Sequence, residues 1–158
     1  MSNQSTSNFI NLHTSGIGYI RRVRNVAVRK GGAFYAASIS AMFGEKGVKD
    51  GVQYVPYDVK AVSEQAEQVL QLIQADANDQ NKRVMVRFNI GDAYIDSFKH
   101  QSGTRAGETG LTMKGRLLFV THAWVKNKND GDDQQGWNLV YELPKQQEEQ
   151  SVKTGTEG

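Results

Sequence analysis

Along most of this chain apolar and polar residues alternate with a period of two, the signature of strands that bury one face and leave the other open. The cleanest run is AFYAASISAMFG, residues 33 to 44, with Tyr35, Ala37, Ile39, Ala41 and Phe43 on one face. Phe34, Ala36, Ser38 and Ser40 occupy the other, which is small and open. In VQYVPYDVKAV, from Val52, the pattern turns Val55, Tyr57, Val59 and Ala61 inward and Tyr54, Pro56, Asp58 and Lys60 outward. Pro56 cannot donate to a ladder, so this strand is expected at an edge or a bulge. RVMVRFNI places Val84, Val86, Phe88 and Ile90 inside and Met85, Arg87 and Asn89 outside. AYIDSFKH then continues as strand beyond a bend allowed by Gly91 and Asp92. In LTMKGRLLFVTHAWV, Thr112, Lys114 and Arg116 face away from Leu111, Met113 and Leu117.

The first strand, residues 14 to 28, breaks this regularity. Ile17, Tyr19 and Val23 share one parity while Ile20, Val26 and Val28 share the other, so a bulge or sharp bend near Arg21 and Arg22 is needed to reconcile the halves. RKGG at 29 to 32 is turn chemistry, with glycines free to take positive φ. A single helix is predicted after Ser63, which suits an N-cap: glutamates fill the first turn and Ala66, Val69, Leu70 and Ile73 form one stripe, ending near DANDQN. QSGTRAGETG is a Gly-rich loop between the fourth and fifth strands, and WNLVYEL returns as one more short strand.

Three strands, one helix, then two strands joined by a long hairpin loop is the order of the OB-fold, a mainly β, five-stranded Greek-key barrel with its helix between strands 3 and 4. The domain reading is a flexible N-terminal arm over 1–12, the barrel over 13–127, a linker with the extra strand over 128–143, and a disordered acidic tail over 144–158. With 158 residues and 38% apolar content, the chain has material for one core and not for two full domains.

Charge changes the picture. Residues 1–44 carry five basic and no acidic side chains, residues 45–129 twelve and ten, and residues 130–158 two and seven, so a net charge of +2 conceals a basic start and an acidic end. The absence of cysteine removes disulfides, thiolate zinc sites and cysteine nucleophiles together. His13, His100 and His122 lack ligand spacing, and GIGYIR opens a strand and lacks the third glycine of a dinucleotide fingerprint. Asp92 and Asp96 lie four apart at the strand bend, a position for turn chemistry before a magnesium site. The expectation is therefore a protein that is not an enzyme and needs no cofactor. With no long apolar run and no signal-peptide layout at MSNQSTSN, it is expected in the cytoplasm, away from membranes.

Binding a single strand of nucleic acid needs cations that track phosphates and flat side chains on which bases stack. The candidate cations are Arg21, Arg22, Arg24, Arg29, Lys30, Arg87, Lys114 and Arg116, and the candidate stackers are Phe34, Tyr54, Tyr94 and Phe98. Tyr19 fits either a core or a stacking role, and Trp124 and Trp137 are read as anchors of the C-terminal segment. The acidic tail is a candidate internal competitor for the same groove.

GYIRRVRNV, FYAASIS, VQYVPYDVKAVSEQAEQV and RVMVRFNIGDAYIDSF with GLTMKGRLLFV together resemble an uncharacterised bacterial family of integrating conjugative element replication proteins, over residues 9 to 127. More distantly the layout resembles bacterial single-stranded-DNA-binding proteins, in which Tyr54 and Phe98 would match an aromatic opening the third strand and another near the end of the fourth. The end EEQSVKTGTEG departs from the acidic and hydrophobic tip by which those proteins recruit partners. The resemblance implies binding of single-stranded DNA with little sequence specificity during replication or transfer of a mobile element. A small barrel of this type with an exposed edge is expected to pair into a homo-oligomer, dimer or tetramer, and replication proteins are candidate partners. An RNA-binding protein and an OB-like protein-interaction module are the alternatives.

Overall fold

A computed structural model of the chain describes residues 8–128 and 136–145. Expectations for 1–7, for most of the linker and for 146–158, including competition by the acidic tail, lie outside the described residues. The elements run β1 (His13–Ala27), β2 (Ala33–Gly44), β3 (Val52–Ala61), α1 (Glu64–Ala77), β4 (Lys82–Lys99), β5 (Thr109–Asn127) and β6 (Asn138–Glu142). The strands hydrogen-bond in the order β3-β2-β1-β4-β5-β6, and a further parallel pairing of Tyr57–Ala61 with Met113–Leu117 joins β3 to β5. That pairing closes β1 to β5 into a ring, the OB-fold barrel expected from the element order.

The alternation predicts the interior well. Val84, Val86, Phe88 and Ile90 of β4 share one buried core with Ile20, Ile39, Val59 and Leu117. α1 adds Ala66, Val69, Leu70 and Ile73 to it. Ser63 caps α1 by accepting from the Ala66 amide at 3.0 Å, and its own hydroxyl donates to the Leu118 carbonyl at 2.6 Å. One side chain thus satisfies a helix end and ties it to β5. Pro56 lies one residue before the parallel pairing with β5 begins, where β3 has a neighbour on one side only.

Among the register shifts that bend the barrel strands, two are each held by a side-chain amide at an end of α1. In β1 the register against β2 shifts between Arg21 and Arg24, and Arg22 takes a φ of 55°. Ile20 and Val23 are consequently both buried although they are three apart. A bulge removes ladder partners, and Val23 finds them on the Asn78 side chain: its amide donates to Oδ1 at 2.9 Å and its carbonyl accepts from Nδ2 at 2.8 Å. In β5 the register against β4 shifts next to Val120, whose amide donates to Gln65 Oε1 at 3.0 Å and whose carbonyl accepts from Nε2 at 2.6 Å. Asn78 and Gln65 stand at opposite ends of α1, so the helix fixes both bends as well as filling the core.

Some positions differ from the simple pattern. Phe43, expected inward, is exposed where β2 runs out toward its turn. Leu111 is exposed because β4 and β5 continue past the barrel as a two-stranded arm, pairing Ile95–Lys99 with Thr109–Met113. Ala36, expected on the open face, is buried between its register partners Arg24 and Lys60.

Candidate nucleic-acid interface

The β1 bulge turns two successive guanidinium side chains, Arg21 and Arg22, out of the barrel wall, and both are exposed. Two clefts meet there. The larger, about 930 Å³, runs from Arg21 and Arg22 past Tyr19, Ser40 and Tyr54 to Asn78, Lys82, Arg83 and Lys128. The smaller, about 460 Å³, shares Arg21, Arg22 and Ser40 and continues over Ser38 and Pro56 to Lys114 of β5 and to Phe98 and Leu111 on the arm. The small serines of β2 leave the floor open between β1 and β3, so the clefts form one continuous path across the outer face.

The candidate residues divide into those this path gathers and those it does not. Arg21, Arg22, Arg24, Tyr54, Phe98 and Lys114 line it. Arg29, Lys30 and Phe34 lie in or beside the β1–β2 turn, and Arg87, Tyr94 and Arg116 lie on β4 and β5; none of the six lines either cleft. The Phe34 ring is covered by the Lys60 ammonium, 4.4 Å from its centroid, and Phe98 meets His100 edge-on at 4.9 Å. Tyr54 is 52% exposed and Phe98 43%, so each offers a free ring surface.

Charge on this path is less one-sided than the first strand suggests. Arg24 Nη2 pairs with Asp58 Oδ1 at 3.1 Å across the β1–β2–β3 surface. On the β4–β5 face Lys114 pairs with Asp96 at 3.3 Å and Arg116 with Asp92 at 2.8 Å. The two aspartates read as turn residues are therefore counter-ions of two candidate phosphate ligands. Lys82 pairs with Asp76 at 2.9 Å, and that hydrogen bond, followed by the Asp76 charge, holds its ammonium above the usual lysine range. Among the described residues Arg21, Arg22, Arg83 and Lys128 carry no ion pair, and they are the cations of the path left to attract an anion.

Arg83 and Lys128 escaped the sequence reading, which took Trp137 as an anchor of the C-terminal segment. Arg83 lies opposite Lys126 in the β4–β5 ladder, a placement that depends on register and not on local period. Tyr19, left open between core and surface, is half-buried on the outer face 6.2 Å from Tyr54, with the Arg83 guanidinium 6.0 Å from its ring. Trp124 stacks on His122 at 5.4 Å. Among the described residues no group of three or more His, Asp or Glu is placed to hold a metal ion, and no helix is long and apolar enough to cross a membrane.

The family model described as "Protein of unknown function (DUF3577)" matches residues 3–136, and the chain belongs to that family. No curated protein matches it. Among solved structures it is similar to a small single-stranded DNA-binding protein from Streptomyces coelicolor, at 8% identity and a TM-score of 0.40, over 72% of this chain and 95% of that one.

Proposed function

We propose that this member of the DUF3577 family binds single-stranded nucleic acid, DNA before RNA, with little sequence specificity and without catalysing a reaction on it. The observation that carries the reading is the continuous path through the β1 bulge, with Arg21 and Arg22 at its centre and the rings of Tyr19, Tyr54 and Phe98 along it. Phosphates follow the cations while bases lie on ring faces, and neither contact reads sequence. The cellular role in this proposal is replication or transfer of a mobile element, as a homo-oligomer in the cytoplasm working beside replication proteins.

The test is a double charge reversal, Arg21→Glu with Arg22→Glu, measured by fluorescence anisotropy with labelled oligo-dT. Both side chains are exposed, so the fold should survive by circular dichroism. Removing two phosphate contacts should lower the salt slope by about 1.4 and the affinity at low salt by roughly ten-fold or more. A folded double variant with unchanged affinity and slope removes the bulge from the site. A protein-docking reading rests on its own observation, the exposed Ile95 and Leu111 of the arm. It predicts no salt-dependent affinity for oligo-dT at all.

A further inference from the structure

The closed barrel needs five strands, and β6 is a sixth, paired to β5 through Asn138↔Val125 and Leu139↔Trp124. Its pairing sets Trp137, the residue just before β6, on the outer face of the barrel. There the indole lies 6.2 Å from the Tyr19 ring with planes 28° apart, and Tyr54 lies 6.2 Å from Tyr19 on the other side. Three rings from β3, β1 and the β6 extension thus follow one another at equal spacing; Tyr54 and Tyr19 line the larger cleft and Trp137 stacks on Tyr19 next to it. Cations accompany it: the Arg83 guanidinium is 6.0 Å from the Tyr19 centroid and the Lys126 ammonium 5.8 Å from that of Trp137. An indole held only to anchor a terminal segment would be expected to sink into apolar core; this one is half-buried beside a cleft lined by Arg21 and Lys128.

We propose that Trp137 is a base-stacking residue of the site, and that the ring row it completes is what makes the site prefer single strands to duplex. The inference rests on the nucleic-acid reading given above. A duplex offers its phosphates to Arg21, Arg22 and Lys128 but keeps its base faces stacked inside, so only an unpaired strand can use the rings. Placing the third ring outside the five-stranded barrel also gives β6 a purpose that barrel closure does not.

The experiment compares oligo-dT with a duplex of equal length on the wild type, Trp137→Ala and Trp137→Phe. Trp137→Ala should lose about five-fold or more in affinity for oligo-dT while its duplex affinity stays level, and Trp137→Phe should recover most of the loss. In a Trp124→Phe background the remaining indole emission should be quenched on saturation with oligo-dT, a readout that does not depend on the alanine variant folding. Wild-type binding with full affinity kept by folded Trp137→Ala, or with no quenching in Trp124→Phe, overturns this inference and leaves the binding reading standing. A wild type that binds neither oligonucleotide overturns the binding reading itself, and this inference with it.

Discussion

Replacing Asn78 by alanine tests how the helix holds the arginine bulge. Val23 is 1% exposed, and both of its backbone groups are satisfied by the Asn78 amide, at 2.9 Å and 2.8 Å. Without that amide the Val23 N–H is orphaned in the interior, a cost of about 1–3 kcal/mol. The carbonyl keeps a second donor, Gln74 Nε2 at 3.3 Å, so its loss is nearer one ordinary hydrogen bond, about 1 kcal/mol. The expected destabilisation is about 3 kcal/mol, which for a urea slope of about 2 kcal/mol/M moves the unfolding midpoint down by about 1.5 M. Urea titration followed by circular dichroism measures it, and an unchanged slope confirms that the same surface is exposed on unfolding. A shift below about 0.3 M at unchanged slope would mean the bulge satisfies its own backbone and that Asn78 does not hold it. Because Arg22 sits in that bulge at a φ of 55°, a loosened Val23 should also weaken oligonucleotide binding in the fraction that stays folded.

Other perturbations separate the remaining parts of the account. Gly18→Ala would drive a Cβ into the Ser40 carbonyl where β1 and β2 cross closely, and should cost more than about 1 kcal/mol in thermal unfolding; a neutral result would mean the strands can part there without loss. Asp58→Asn removes the counter-ion of Arg24 and a negative charge from the smaller cleft, and should tighten oligonucleotide binding by about two- to five-fold at low salt; weaker binding would show that Asp58 positions Arg24 for the ligand. The Lys82–Asp76 pair raises the folded-state value of Lys82, so its stabilisation is fully present below the usual lysine range and fades as pH rises through the raised value. The midpoint difference between wild type and Lys82→Met should therefore be constant near neutrality and shrink in strong alkali, and a difference independent of pH would remove the ion pair as its source.

The parts of this fold that the sequence made legible are those governed by local period. Alternation in β4 located Val84 to Ile90, Ser63 announced α1, and the broken parity of β1 forced a bulge at Arg21 and Arg22, where the register does shift. What escaped depends on contacts between residues far apart in the chain. Asp58, Asp92 and Asp96 could be seen as acids but not as the partners of Arg24, Arg116 and Lys114, because ladder register decides which charges face each other. The amides of Asn78 and Gln65 look like ordinary polar helix residues until bulges 55 positions away leave backbone groups for them to satisfy. Trp137 reaches Tyr19 only through β6, whose position on the β5 edge no periodicity encodes. Local pattern thus located the central arginines, while the tertiary contacts determine which other charges and rings share their surface.

The central claim meets its most direct test in an anisotropy titration of labelled oligo-dT at about 50 and 200 mM salt, with duplex DNA and poly-U as competitors. Four cations of the path without an ion partner, Arg21, Arg22, Arg83 and Lys128, give an expected slope of about −2.8 in log affinity against log salt. That slope corresponds to a loss of roughly fifty-fold between the two conditions, with oligo-dT resisting both competitors. Absence of binding at the lower salt, or binding that salt does not weaken, would contradict a phosphate-tracking site on this face.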